Sequence, residues 1–247
     1  MDDYEDATYG ERIAERYDQW YPSDVFGGAE QTVAFLSAFA GNGPALELGI
    51  GTGRIAIPLA GTGVRVHGID ASDAMVAKLR AKDPAIEVTV GSFADFSLSE
   101  PFSLIYVVFN TFFGLLTRDQ QSSSMQAIAR HLRPGGVFVM EAFVPDPGRF
   151  DHGQRIGAMR IGVDEVTLEA SKVDPSDDHR VDNAYIVLRD GEPVRVLPVR
   201  VRYAYPAELD ALAGEAGMRL RERWADWDRS PFDGASKKHI SVWELKP

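Results

Sequence analysis

A chain of 247 residues with 45% apolar content is long enough to bury one sizeable core plus an appendage, so one domain carrying an insertion is expected. It has no cysteine, which excludes disulfides, thiolate nucleophiles and cysteine-ligated metals. A formal net charge of -11 disfavours a nucleic-acid backbone as partner, and no run approaches the ~20 apolar residues of a membrane span.

The opening "MDDYEDATYGER" is acidic where a signal peptide is basic and then apolar, so a soluble, cytoplasmic protein acting on a small neutral or cationic substrate is expected. In "YGERIAERYDQWY", Tyr9, Ile13, Tyr17 and then Trp20 or Tyr21 recur at spacings of three and four, an aromatic helical stripe that suits either a core or a lid. A second helix is expected from Phe26 to Ala40, where Val33, Phe35, Leu36 and Phe39 repeat at helical spacing until "GNGPA" interrupts them.

"ALELGI", "VRVHGID", "IEVTVG", "FSLIYVVFN" and "GGVFVMEAF" read as five strands, separated by helical segments at "RIAIPLAGTG", "DAMVAKLRAKD" and "RDQQSSSMQAIARHL". This alternation implies an α/β fold built on a doubly wound parallel sheet. After Val144 the rhythm changes. "PDPGRFDHGQ" is turn-rich, "DEVTLEAS", "NAYIVL" and "VRVLPVRVRYAY" alternate as strands do, and "DG" at 190 and 191 marks a hairpin. "PAELDALAGEAG" restores a helix, with proline at its start and glycine at its end, and "RLRERWADW" and "HISVWEL" close the chain as strands. The expected organisation is a core of residues 1–145 and 206–247, with an antiparallel β insertion over 146–205 that forms a substrate cover.

The glycines of "PALELGIGTGRIAIPLA" fall between a strand and a helix, where bare backbone N-H groups approach a nucleotide-like ligand. A dinucleotide fingerprint needs a small residue where Arg54 stands, which opposes an NAD-dependent oxidoreductase. An acid before the turn, in the pattern Glu47, Gly49, Gly51, Gly53, resembles instead the first motif of the class I S-adenosylmethionine-dependent methyltransferases.

The resemblance covers most of the chain and implies the sheet order 3-2-1-4-5-7-6, with "HISVWEL" as the antiparallel seventh strand. It implies that Asp70 accepts hydrogen bonds from the ribose hydroxyls, that Met75 and Ala71 flank the adenine, and that the backbone N-H of Phe93 meets a ring nitrogen. Ser92 stands where the family usually has an aspartate facing the adenine amino group, which weakens that contact. Phe109, Asn110 and Thr111 match positions lining the methionine end, while Phe112, Phe113 and Trp20 are expected to pack. Glu47 either orders the glycine turn or receives the methionine ammonium, and Arg12 is a candidate partner for the cofactor carboxylate.

"AERYD" at 14–18 matches a leading helix that covers the cofactor in methyltransferases of small molecules, which makes Tyr9 and Tyr17 the expected catalytic residues. His67, His131, His152, His179 and His239 show no metal spacing, "DPSDDH" reads as a solvated turn, and His152 and His179 are candidates to face substrate. No His-Asp or Lys-centred base is evident, which favours an amine acceptor. Together with "YVVFNTFF" and "EAFVPDP", the chain resembles the natural-product branch that includes lincosamide and amino-sugar N-methyltransferases. N-methylation of a small secondary metabolite in antibiotic tailoring is the expectation, with O-methylation and a non-catalytic cofactor-binding scaffold as alternatives. An exposed strand edge leaves a homo-oligomer open.

Overall fold

The computed structural model describes residues 3–21, 29–41 and 43–247, except for the side chain at position 178. Phe26, the expected start of the second helix, lies outside the described residues. The elements in chain order begin with α1 (Thr8–Ile13), α2 (Tyr17–Trp20), α3 (Ala29–Ala40), β1 (Ala45–Leu48), α4 (Ala56–Ala60), β2 (Val66–Asp70), α5 (Asp73–Lys82), β3 (Glu87–Val90) and β4 (Phe102–Val107). They continue with α6 (Arg118–His131), β5 (Leu132–Phe143), β6 (Gln154–Ile161), β7 (Glu165–Asp174), β8 (Asp177–Arg189), β9 (Arg195–Arg202), α7 (Pro206–Glu215), β10 (Met218–Trp224) and β11 (Lys238–Leu245).

Seven strands form one sheet in the order β10-β11-β5-β4-β1-β2-β3. The pairs joining β3, β2, β1, β4 and β5 are parallel, and β11 runs antiparallel to both β5 and β10. With the inserted strands set aside, this is the expected order. Every residue of β4 is buried, as its uninterrupted apolar run demands of a strand covered on both faces. Alternation then divides the neighbouring strand β1: Leu46 and Leu48 join the core that holds Phe138 and Trp243, while Ala45 joins the opposite core with Leu36, Leu59 and Tyr106. Local signals fix the helix starts: Ser72 caps α5 by accepting the Met75 N-H, and Thr117 with Gln120 forms a capping box on α6.

Two elements differ from expectation. The N-terminal stripe forms two short helices because Arg16 leaves the helical region with φ -127°. Its residues still share one side, where Tyr9, Tyr17, Trp20 and Tyr21 pack around Ile13, Ala14 and Met75. The turn-rich stretch after β5 gives way to a full strand, β6, which makes the second sheet four-stranded in the order β6-β7-β8-β9. All of its pairings are antiparallel.

Polar ties latch α1 and α2 onto the glycine turn and α5. Glu11 accepts from the Ser72 hydroxyl at 2.7 Å and the Ala74 N-H at 3.1 Å. Asp18 accepts from the Thr52 hydroxyl at 2.6 Å and pairs with Lys82 at 2.6 Å. The Ala74 and Ser72 bonds hold the Glu11 carboxyl below its usual range, and the Lys82 and Thr52 bonds hold Asp18 down against the opposing effect of burial. A carboxyl depressed on folding contributes stability above its unfolded value and loses it as pH falls through the folded one. The latch should therefore be intact at neutral pH and released below about pH 4. Hydrogen exchange over residues 7–20 should rise there, and Asp18→Asn should raise it already at pH 7.

Candidate active site

A cavity of about 620 Å³ opens where Gly49 follows β1, Asp70 ends β2, Phe109 follows β4 and Phe143 ends β5. Ligands bind at this carboxyl edge of an open α/β sheet, where the order of strands reverses. Of the residues singled out from sequence, Tyr9, Tyr17, Gly49, Gly51, Asp70, Ala71, Met75, Ser92, Phe93 and Asn110 all line it. Phe109 and Thr111 line it too, and Phe112 and Phe113 are fully buried core.

The adenosyl side is built from the ends of β1, β2 and β3. Asp70 is braced on both oxygens: Oδ2 accepts the Gly51 N-H at 2.7 Å and Oδ1 the Ser72 N-H at 2.9 Å. Each oxygen keeps a lone pair for a hydroxyl donor. Burial raises the Asp70 carboxyl, and those two N-H bonds oppose the rise. Gly51 has φ +55° and nothing within 4 Å of where a Cβ would stand, so the turn offers bare backbone to the cavity. With Met75 buried at 4% exposure, the surroundings fit an adenosyl group with its ribose on Asp70. The Ser92 hydroxyl donates to Asp6 at 2.5 Å, so the adenine end is met by the lid and not by a carboxylate of this strand end.

At the other end, Phe109 and Asn110 are consecutive non-glycine residues with φ +58° and +64°, a strained corner held by its neighbours. Glu141 Oε2 accepts the Phe109 N-H at 2.8 Å, and Asn110 Oδ1 accepts the Phe143 N-H at 2.7 Å. The Asn110 carbonyl oxygen thus ties the corner to the end of β5, and the residue lines the cavity.

Three expected site residues do not line the cavity. Arg12 is exposed on α1 and lies outside the cavity lining. Gly53 is buried behind the turn, where an added Cβ would meet Ile57 Cδ1 at 2.9 Å. Glu47 is 2% exposed and accepts from the Tyr106 hydroxyl at 2.9 Å, so it orders the turn from below and presents nothing to a methionine ammonium. His152 is exposed beside Asp151 and His179 lies 3.2 Å from Glu208; neither lines the cavity.

Burial pushes the Glu47 carboxyl up to about 8, against the pull of the Tyr106 hydroxyl and the Arg54 charge. The folded chain then binds a proton that the unfolded chain releases near pH 4.5, so Glu47 costs stability progressively between about pH 4.5 and 8. Glu47→Gln keeps an acceptor for Tyr106 and should remove this loss. Its unfolding free energy should exceed wild type increasingly as pH rises across that window, by no more than ~1.4 kcal/mol per pH unit, and its melting temperature should rise in the same order.

Sequence reasoning put Tyr21 in the aromatic stripe without a site role, and it missed Tyr185 and Arg54 as neighbours of the site. Tyr21 stacks obliquely on Tyr17 at 5.1 Å and meets Phe109 edge-on at 5.0 Å. Arg54 hydrogen-bonds Tyr17 and lies 5.1 Å from the Phe109 ring, behind the cavity wall. Burial pushes the Tyr17 phenol up to about 12 despite that cation, so it stays protonated at neutral pH. The facing wall comes from the second sheet, where Glu169, Asn183, Tyr185, Val199 and Val201 line the cavity, and Arg149 joins them from the segment after β5.

A family model described as "Methyltransferase domain" matches residues 45–136, which hold the glycine turn, Asp70 and the Phe109 corner. The solved structure of the CcbJ methyltransferase from Streptomyces caelestis is 40% identical, with 99% of this chain and 100% of that chain covered at a TM-score of 0.93. The cypemycin N-terminal methyltransferase of a Streptomyces species is 24% identical over 96% of this chain and 98% of its own length. The S-adenosylmethionine-bound structure of CalS10, an amino pentose methyltransferase of Micromonospora echinaspora involved in calicheamicin biosynthesis, shares the fold at a TM-score of 0.66 and 20% identity, covering 87% of this chain and 89% of its own. With the 40% identity of the full-length CcbJ relative and the sheet order in place, the chain belongs to the class I S-adenosylmethionine-dependent methyltransferases.

Proposed function

We propose that the chain methylates the amine nitrogen of a small secondary metabolite, of the lincosamide or amino-sugar kind, in antibiotic tailoring. The observation that carries this reading is the cavity's protein side. The phenols Tyr9, Tyr17 and Tyr21 line the cavity together with the Phe109 corner, burial raises each of them above the ordinary phenol value, and among the described residues no histidine lines it. A hydroxyl acceptor needs a base as it attacks, whereas an amine needs only to lose its ammonium proton beforehand. Relatives acting on amines, among them the dTDP-4-amino-2,3,4,6-tetradeoxy-D-glucose N,N-dimethyltransferase of Saccharopolyspora spinosa, support the same choice.

Bound S-adenosylmethionine supplies a methyl group on a sulfonium, a good leaving group. The chain's work is alignment and exclusion of water. In this reading Gly49, Gly51, Asp70, Ala71, Met75, Ser92, Phe93 and Asn110 hold the cofactor, and Tyr9 and Tyr17 orient the acceptor from the lid.

Mass spectrometry of the enzyme with cofactor and a panel of amino sugars, lincosamide precursors and phenols tests the proposal: a methyl gained on nitrogen supports it, and methylation confined to phenols or alcohols overturns it. Tyr17→Phe should lower kcat about tenfold or more while leaving cofactor affinity within about twofold, since its hydroxyl aligns the acceptor. Single-turnover kinetics beside cofactor calorimetry read the two effects apart.

A further inference from the structure

Residues 4–8 form a strap that is tied at both ends. At one end the Tyr4 hydroxyl accepts the backbone N-H of Arg200 on β9. The Arg200 guanidinium lies 5.9 Å from the Tyr4 ring and is itself fixed by Asp182 of β8, whose two oxygens accept from it at 2.5 and 2.9 Å. At the other end the Glu5 N-H donates to the Thr8 hydroxyl at 2.8 Å, at the start of α1. Helix α1 presses on α5 so closely that a Cβ on Gly10 would meet Ser72 Cβ at 2.5 Å. Asp6 lies between these ties. It is exposed and lines the cavity, and its Oδ2 accepts the Ser92 hydroxyl at 2.5 Å.

Strand geometry fixes which end of the cavity this is. β3 runs beside β2 with Val90 opposite Asp70, and the Gly91 N-H donates to the Asp70 backbone carbonyl at 2.8 Å. Ser92 therefore stands one strand further out than Asp70, and the Phe109 corner lies on the other side of β2, beyond β1. A ligand whose ribose rests on Asp70 and whose methionine end reaches the Phe109 corner must send its base toward Ser92 and Asp6. These two side chains are unequal as acceptors. The Ser92 hydroxyl gives its one proton to Asp6 and accepts the Ala94 N-H at 3.2 Å on one of its two lone pairs. A carboxylate offers about four acceptor sites, of which Ser92 takes one, and bonds to a charged acceptor are the stronger ones. The 6-amino group of adenine is a donor, so the carboxylate is its better match.

We propose that Asp6 recognises the 6-amino group of the cofactor's adenine, so that the strap, and not the end of β3, selects the base. The inference rests on the cofactor placement given above and deepens it. Because the acceptor group is carried by the strap, the same contact ties strap to cofactor. Tyr4 passes that tie to β9, whose Val199 and Val201 line the same cavity. An adenosyl group in place thus steadies the lid that carries Tyr9 and Tyr17.

The test needs no turnover. The full chain is titrated by calorimetry with S-adenosylhomocysteine and with its 6-deamino analogue, in which hydrogen replaces the amino group and every other polar atom is kept. Wild type should bind S-adenosylhomocysteine about tenfold or more tightly than the analogue. Asp6→Ala should weaken only S-adenosylhomocysteine, which brings the two affinities to within about twofold of each other. If Asp6 only holds the strap, its loss weakens both ligands alike and leaves their ratio unchanged. That result overturns the proposal, as does a wild type that binds both equally. Hydrogen exchange over residues 4–20 gives a second reading: S-adenosylhomocysteine should protect wild type more than the analogue does, and the two should protect Asp6→Ala equally. Asp70→Ala separates this inference from the reading beneath it, because both ligands carry the same ribose. Equal weakening of both upholds the cofactor placement whatever Asp6 does, whereas retained affinity for both removes that placement and the role of Asp6 with it.

Discussion

Asp70→Ala is expected to weaken S-adenosylhomocysteine binding by about a hundredfold or more, because hydrogen bonds to a charged acceptor contribute ~1.5–3 kcal/mol each. In the proposed cofactor site the carboxylate faces a ribose with its remaining lone pairs, and it also holds the Gly51 and Ser72 N-H groups, so one truncation would remove ligand contacts and slacken the turn that makes others. Asp70→Asn should be nearly as severe, although it is close in shape. Both oxygens already accept from backbone N-H groups, and an amide can offer only one acceptor, so its NH₂ must oppose one of those donors. Calorimetric titration of the product cofactor measures both variants, and binding within threefold of wild type in the alanine variant would remove Asp70 from the ribose site.

The second large effect separates two glycines of one turn. In Gly49→Ala the new methyl would stand 2.3 Å from Thr111 Cγ2, at φ +71°, so either β1 or the Phe109 corner must move. Overpacking and left-handed strain together are expected to cost ~2–4 kcal/mol, read as a lowered melting temperature in the absence of any ligand. Gly51→Ala carries the conformational cost alone, ~1–2 kcal/mol, because its methyl meets no protein atom within 4 Å. That methyl instead occupies space over which the cofactor's backbone contacts form, so this variant should stay folded and lose cofactor affinity. Unfolding measured without ligand and affinity measured at low temperature should therefore rank the two variants in opposite orders.

The α/β frame was legible because its signals are local: buried apolar runs such as "FSLIYV", a capping box at Thr117 and the glycine turn each specify an element within a few residues. The same logic failed at β6, whose "QRIGAMRI" has no alternation to read. Its Ile156, Met159 and Ile161 are 70%, 54% and 76% exposed, so no buried face imposed a period on the sequence. Arg12 illustrates a different limit. Arg12 lies three residues after Tyr9, a spacing compatible with the packed face, and only the folded structure shows it exposed. Glu47 sits beneath the turn because strand alternation puts it opposite Leu46 and Leu48, in contact with Tyr106. Tyr185 was beyond reach, since only tertiary packing brings a strand of the insertion against the opening helices.

Acceptor and cofactor walls also differ in how free they are to change. Asp70, Gly51 and the Phe109 corner are each tied into the backbone of the main sheet, so substitutions there disturb the donor and the fold together. The cavity face of β8 and β9 carries Val181, Asn183 and Tyr185 opposite Val201, Val199 and Leu197, on a hydrogen-bonded ladder that holds its register whichever side chains project from it. If the proposed assignment of the two walls holds, drift at these alternate positions reshapes the acceptor pocket while the methyl donor stays in place. A lineage of such enzymes can thus acquire new substrates by rewriting one surface of a single inserted sheet, and directed evolution of specificity should begin there.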